Sequence, residues 1–88
     1  MAVVDTQTLA IEADTWTEVA EGPLEVNLTG HEENFDWALS AAEPGATVHG
    51  HFRRANEDLI VVVETDVSLW VRNRLSAFRV SYTLADVE

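Results

Sequence analysis

The pair His49 and His51 is the one arrangement in the sequence with the spacing of metal ligands. Residues i and i+2 of a β-strand point to the same side, so a strand through this pair would offer two imidazoles. Zinc needs further ligands, and within one chain His31 or a carboxylate such as Glu33 would have to supply them. A three-fold axis would instead bring three such pairs into an octahedral, iron-type sphere. Because no pattern of supporting residues surrounds the pair, the sequence predicts two exposed or interfacial histidines, with no bound metal and no cofactor.

The other polar residues do not form a catalytic pattern. Neighbouring acids such as Glu32 with Glu33, or Asp14 with Glu18, are typical of solvated turns rather than of acid/base pairs. Serine, histidine and aspartate occur without a nucleophile elbow, and there is no glycine-rich phosphate loop. The sequence therefore predicts a protein that is not an enzyme.

The three tryptophans allow two interpretations. Trp16, Trp37 and Trp70 could form an aromatic platform for sugars, but apolar alternation around them favours core packing. Trp70 is the exception, because it falls with Arg72 on the face opposite Leu69. Trp70 is thus the first candidate for an interface anchor, with Arg72 beside it for stacking or ion pairing.

Residues 59–63 are the element around which the rest of the chain is arranged. They are five apolar residues in a row, four of them β-branched, which predicts a strand. Since side chains alternate between faces, a continuous apolar run indicates a central strand that is dry on both sides. The outward pair, Ile60 and Val62, is therefore predicted to lie under a loop or terminal segment of the chain itself or under another subunit.

Turn residues at regular spacing divide the chain into short strands without helical periodicity. Thr65 and Asp66 predict a tight link that makes residues 58–72 a hairpin. The fold class predicted is all-β, a single antiparallel β-sandwich or jelly-roll-like domain of seven or eight short strands over residues 1–88. Residues 1–14 are predicted to be an extended N-terminal arm or an edge strand. The predicted strands are residues 8–13, 15–20, 24–29, 35–40, 47–52, 59–63, 67–72 and 77–84.

The charge of the chain is unevenly distributed. The net charge is −11, and residues 1–52 carry ten acids without a lysine or arginine, whereas residues 53–88 carry six acids and five arginines. This charge argues against nucleic acid or an anionic membrane as a partner. The arginine-bearing half, which includes Arg53 and Arg54, is predicted to meet an acidic patch on a neighbouring copy or scaffold, unless the charge only keeps the protein soluble.

Size and composition bear on assembly and location. A chain of 88 residues buries only about 60 to 65% of its unfolded surface, so oligomerisation would assist its stability. There is no cysteine for a disulfide framework, and no apolar stretch approaches the length of a membrane span. The first residues lack the features of a signal peptide, which predicts a protein made and used without export.

Four short segments together resemble small β-sandwich structural proteins of tailed-phage virions, such as head-decoration proteins and tail or fibre modules. They are WTEVA at 16–20, GHF at 50–52 after a Pro-Gly turn, LWVR at 69–72 and AFRVSYT at 77–83. A histidine pair like His49 and His51 is similar to those of some phage spikes and fibres. The resemblance implies a virion location after synthesis in the host cytoplasm, no catalytic residues, and a homo-oligomer, with a trimer as one candidate, that contacts other virion proteins.

Two other functions remain open from the sequence. The acids of residues 1–52 could imitate a track of phosphates, which would make the chain an inhibitor of a host DNA-binding protein. The tryptophans could serve a carbohydrate-binding module. A regular row of acids on one face would favour the first function, and an exposed aromatic platform would favour the second.

Overall fold

Eight strands form two four-stranded antiparallel sheets that pack face to face. The computed structural model describes the backbone of residues 3–86 and the side chains of residues 5–86. The part of the chain that it describes contains no helix long and apolar enough to cross a membrane. The strands are β1 (Val3–Ile11), β2 (Thr17–Glu21), β3 (Leu24–His31), β4 (Phe35–Ser40), β5 (His51–Arg53), β6 (Asp58–Val63), β7 (Ser68–Arg72) and β8 (Phe78–Ala85).

The strand order is that of a jelly roll. Sheet I has the order β1-β8-β3-β6, and sheet II has the order β2-β7-β4-β5. The chain passes from one sheet to the other at every connection except the one between β4 and β5. Eight strands wound in this way make the double-sheet jelly roll. The predicted fold class is therefore confirmed.

The core lies between the inner faces of the two sheets, where strand alternation places the apolar residues. On β3, Val26 and Leu28 are fully buried, and the side chains between and beside them point outward. The rings of Phe35 and Phe78 stack across the core with their centroids 6.0 Å apart. This alternation is the period-two pattern of the sequence, which is why the strand positions were predictable.

The predicted hairpin at 58–72 is wrong. Strand β6 belongs to sheet I and β7 to sheet II, so residues 64–67 carry the chain from one layer to the other. Leu59 and Val63 of β6 and Leu69 of β7 all point into the core. Folding the two strands face to face buries these residues together, whereas an edge-to-edge hairpin would leave one layer without its partner.

Residues 3–11 of the N-terminal segment form an edge strand, β1. It runs antiparallel to β8 from Val3 to Ile11 and forms the outer edge of sheet I. The strand is longer than the predicted 8–13 and ends earlier, because the chain turns at Asp14, which has a φ of 54°. Residues 1 and 2 of the proposed arm lie outside the described residues.

The segment predicted as a strand at 47–52 is mostly a loop. Only His51–Arg53 is a strand, and Gly50 before it has a φ of 71°, a left-handed conformation that breaks the extended backbone. Residues 41–50, which we call the 41–50 loop, cross the outer face of sheet II, and Pro44 is the buried residue of this loop. The indole N–H of Trp16 donates to the carbonyl of Gly45 at 3.3 Å and holds this loop in place.

Candidate functional site: the open side of the sandwich

Strands β5 and β6 are free edges of the two sheets, and they lie on the same side of the sandwich. Strand β5 ends at Arg53 and β6 begins at Asp58, so only residues 54–57 connect them. In the described part of the chain, each has a strand partner on one side only. An unpaired edge presents backbone N–H and C=O groups that another strand can bind. We call this flank of the molecule the open side. It is formed by β5, β6 and the half of β4 that has no β5 partner, residues 38–40.

The outward residues of β6 are apolar and exposed. Leu59 and Val63 point into the core, so Ile60 and Val62 point outward, where they are 62% and 51% exposed. In a single copy of the chain, the outward face of residues 59–63 is therefore exposed to solvent, and the predicted shielding of both faces is not met within one chain. The prediction of a central strand is also wrong, because β6 is an edge. None of the side chains between residues 5 and 86 covers the outward pair.

Two further exposed apolar residues lie on the open side because β5 is short. Strand β5 pairs only with residues 35–37 of β4, which leaves the second half of β4 as an edge. Leu39, in that half, is 42% exposed although it lies on the same strand face as buried Phe35. Phe52, on β5 itself, is 62% exposed. Strand alternation alone does not predict that these two residues are exposed, and the signal in the sequence is Gly50, which limits the length of β5.

Charges of opposite sign flank the two neighbouring edges. Asp58 opens β6, Glu64 follows it, and Glu25 of β3 lies beside Val62 in the register of the sheet. Strand β5 instead ends in arginine, with exposed Arg54 next in the chain. The open side therefore has exposed apolar side chains on both strands, acids at the ends of β6 and arginine at the end of β5.

A shallow cavity extends the apolar surface at one end of β6. Its volume is about 450 Å³, and it is lined by Pro23 and by residues 62–65. Val62 and Pro23 supply apolar walls, and Glu64 supplies a carboxylate. A cavity of this kind can accept a side chain from a docked partner, with its aliphatic part against the walls.

Arg72, predicted as an interface residue, is instead part of the interior of the chain. It is only 2% exposed. Its guanidinium donates to the carbonyls of Ala46 at 3.1 Å and Val48 at 2.6 Å, and it lies 4.4 Å from the centre of the Trp16 ring. Arg72 thus holds the 41–50 loop onto sheet II through contacts within one chain. The sequence placed it correctly on the outer face of β7, but the loop that covers that face was not predictable from strand alternation.

Trp70, the predicted interface anchor, lies away from the open side. It shares the outer face of β7 with Ser68 and Arg72, as predicted. The side chain is half-buried, and its indole N–H donates to the carbonyl of Ser40 at 3.1 Å. Strand β4 separates β7 from the β5 edge. Trp70 therefore has partners within its own chain, and it does not join the exposed residues of β5 and β6.

The other four predicted interface residues come together on the open side. Ile60 and Val62 lie on β6, Arg53 ends β5, and Arg54 follows it. Arg54 is exposed, whereas Arg53 is half-buried and its Nε has no hydrogen-bond partner among the described residues. The sequence analysis grouped these residues by strand and charge, and the fold places them on adjacent edges.

The histidine pair does not lie on one strand. Gly50 turns the chain between them, so His49 lies in the 41–50 loop and His51 begins β5. The Nδ1 of His49 lies 2.9 Å from a guanidinium nitrogen of Arg74, and the ring of His51 packs on Trp37 with the centroids 4.7 Å apart. Among the described residues, no three histidine, aspartate or glutamate side chains are grouped so that they could hold a metal ion.

The three tryptophans do not form one exposed platform. Trp16 is buried beneath the 41–50 loop, and Trp70 is half-buried on the same outer face of sheet II. Trp37 packs against the core from the inner face of that sheet. The aromatic surface that a carbohydrate-binding module would need is therefore not assembled from these residues.

No family model, curated protein or solved structure matches this chain. The geometry of the open side is therefore the basis for inferring a function.

Proposed function

We propose that the chain is a non-enzymatic structural protein of a tailed-phage virion, a capsid-decoration or tail-associated jelly roll that oligomerises or docks on a particle surface through its open side. The observation that carries this proposal is the set of apolar residues exposed along the open side: Ile60 and Val62 on β6, Phe52 on β5, and Leu39 on the half of β4 that has no β5 partner. Soluble monomers seldom expose apolar residues in groups, and such groups mark surfaces that bind other proteins. The partners are further copies of the chain and other virion proteins.

The fold supports the same role by analogy. Jelly rolls recur in viral capsid proteins, although the fold also serves lectins and enzymes. Three of the segments that resemble phage structural proteins fall on β2, β7 and β8, which are parts of the sandwich framework. The fourth segment, GHF at 50–52, runs into β5, so the resemblance covers the sandwich framework and one strand of the open side.

The energetics suit a protein that acts in many copies. Full burial of a valine or isoleucine side chain contributes about 1.5 to 3 kcal/mol, and the outward pair on β6 is only partly exposed, so each contributes less. One such contact gives weak binding. Because copies attached to a particle, or to one another, bind at several points, the combined affinity exceeds that of a single contact by orders of magnitude.

We expect the double substitution Ile60→Lys and Val62→Lys to reduce association with purified particles at least tenfold. The reason is that both apolar contacts of β6 are lost, and a factor of ten corresponds to about 1.4 kcal/mol. The measurement is quantitative mass spectrometry of virions purified on a density gradient. Both positions are exposed, so the free energy of unfolding should change by less than about 0.5 kcal/mol.

The control is Thr6→Lys with Thr8→Lys, which adds the same charge to exposed positions on β1, at the opposite edge of sheet I. It should leave particle association unchanged. Absence of the wild-type chain from virions would refute the proposed function. Full retention of the β6 variant would show that the open side is not the docking surface.

A further inference from the structure

We infer that the open side joins two copies of the chain in a two-fold dimer, with β6 of each copy paired to β5 of the other. The inference rests on the proposed function, because it names the first partner of the docking surface. Strand direction, charge and the position of the exposed apolar residues each support this pairing. Each of these comes from a different part of the structure.

Strand direction allows this pairing. Every strand pair within the two sheets is antiparallel, and the connections of the jelly roll make β5 and β6 run in opposite directions. A two-fold axis parallel to the strands leaves the strand directions unchanged and aligns sheet I of one copy with sheet II of the other. Strand β6 of each copy then lies antiparallel to β5 of the other copy, so the dimer contains two such strand pairs. Each sheet of the dimer then continues through the interface as β1-β8-β3-β6-β5-β4-β7-β2.

The distribution of charge favours this arrangement over a second two-fold arrangement, in which β6 of one copy pairs with β6 of the other. An axis perpendicular to the sheets would pair β6 with β6, which in the register centred on Val61 sets Asp58 opposite Glu64 of the other copy. Like charges directly opposite each other in a sheet are destabilising. In the β6 to β5 arrangement, Arg54 of one copy lies near Asp58 of the other, so the charges attract.

The exposed apolar residues also meet in this arrangement. Phe52 is paired with Asp36, which is itself paired with Arg72 of the outer face, so Phe52 belongs to the outer face of sheet II. Ile60 and Val62 belong to the outer face of sheet I. Because the axis exchanges the sheets, Phe52 of one copy lies on the same surface as Ile60 and Val62 of the other. Residues that are exposed in one copy become cross-strand neighbours in two.

The size of the open side predicts a weak dimer. The chain measures 36 × 25 × 17 Å, so a side of the sandwich along its longest and shortest dimensions covers about 600 Å² per copy. Two copies would bury about 1,200 Å², the lower end of the range for specific interfaces. We therefore expect association at micromolar concentrations and above, and a monomer below them.

The test is a charge exchange between Arg54 and Asp58, followed by analytical ultracentrifugation over about 1 to 300 µM, a range chosen for micromolar affinity. The wild-type chain should approach twice its mass of 9.8 kDa as the concentration rises. Arg54→Glu alone and Asp58→Arg alone should each stay at 9.8 kDa, because like charges then meet at both contacts. An equimolar mixture of the two variants should dimerise as the wild type does, since both contacts in the mixed pair join opposite charges.

Three results would overturn the inference: a wild-type monomer at every concentration, a wild-type mass of three copies, or an Asp58→Arg variant that associates more tightly alone. The last would indicate the β6 to β6 arrangement, which this substitution relieves of its repulsion. Both substituted positions are exposed, and circular dichroism will confirm that each variant is folded.

A second measurement covers the case in which a charge variant does not fold. The chain has no cysteine, so Arg54→Cys and Asp58→Cys proteins can be mixed and oxidised without background. A disulfide-linked pair that forms much faster in the mixture than with a Thr8→Cys control supports the dimer, and equal rates refute it. If the chain is a monomer and is still found on virions, the dimer is refuted and the proposed function stands. If the chain is a dimer and is absent from virions, the dimer stands and the proposed function is refuted.

Discussion

Replacement of Arg72 by alanine is expected to lower the free energy of unfolding by about 3 to 5 kcal/mol. The guanidinium donates to two carbonyls of the 41–50 loop and lies over the Trp16 ring. Hydrogen bonds from a charged donor contribute about 1.5 to 3 kcal/mol each, and a shielded cation–π contact adds up to about 2. Alanine would remove all three interactions and leave both carbonyls without this donor.

Urea denaturation followed by tryptophan fluorescence measures this loss. The thermal unfolding midpoint should fall by roughly 12 °C or more, since about 1 kcal/mol corresponds to about 4 to 8 °C in a domain of this size. Arg54→Ala is the control, because Arg54 is exposed, and it should change the stability by less than about 0.5 kcal/mol. Arg72→Met keeps much of the length of the side chain without its donors. If Arg72→Met were as stable as the wild type, packing rather than hydrogen bonding would hold the loop.

Replacement of Gly22 by alanine is expected to destabilise the fold by about 2 to 4 kcal/mol. A Cβ at this position would lie closer than 3.0 Å to the backbone oxygens of Val63 and Glu64. These atoms are backbone, so they cannot move aside as a flexible side chain would. The N–H of Gly22 also donates to the carbonyl of Val67 at 2.9 Å, which ties β2 to the link between β6 and β7. The added methyl group would force that link away.

Gly45→Ala is the matched control for this substitution. A Cβ at Gly45 would meet nothing within 4 Å, so we expect a change of less than about 0.5 kcal/mol. Chemical denaturation of the two variants side by side measures the difference. Equal stabilities would mean that the crossing between β2 and the end of β6 tolerates a side chain, contrary to the close contact described above.

Strand alternation made most of the fold predictable. The patterns around Val26 and Leu28, and through the last strand to Leu84, have a period of two, and this period fixes both the strand and its buried face. Turn residues then separate eight such segments, which is enough to predict a two-layer β fold. Alternation does not specify which strands become neighbours. For this reason β6 was expected in a central position and was found at an edge.

The site was predictable in part, for the same physical reason. In residues 59–63 the side chains on both faces of the strand are apolar, and the core accounts for only one face. Ile60 and Val62, on the other face, are therefore predicted to contact something outside the core. Trp70 and Arg72 were assigned to an interface by the same logic, but here the second contact is the chain's own 41–50 loop. Strand alternation predicts that the outer face of a strand is covered. It does not predict whether a loop of the same chain or another protein covers that face, because both make the same apolar and hydrogen-bonded contacts.

The position of β8 between β1 and β3 has a consequence for how the chain folds. Strand β1 pairs only with β8, about seventy residues later in the sequence, and β3 pairs with β8 on one side. A segment this distant must be brought back against the entropy of a long closed loop before either ladder can form. Topologies dominated by such distant pairings fold in roughly milliseconds to seconds, far more slowly than helical bundles. Folding of sheet I should therefore be slow and should end with the arrival of its last strand.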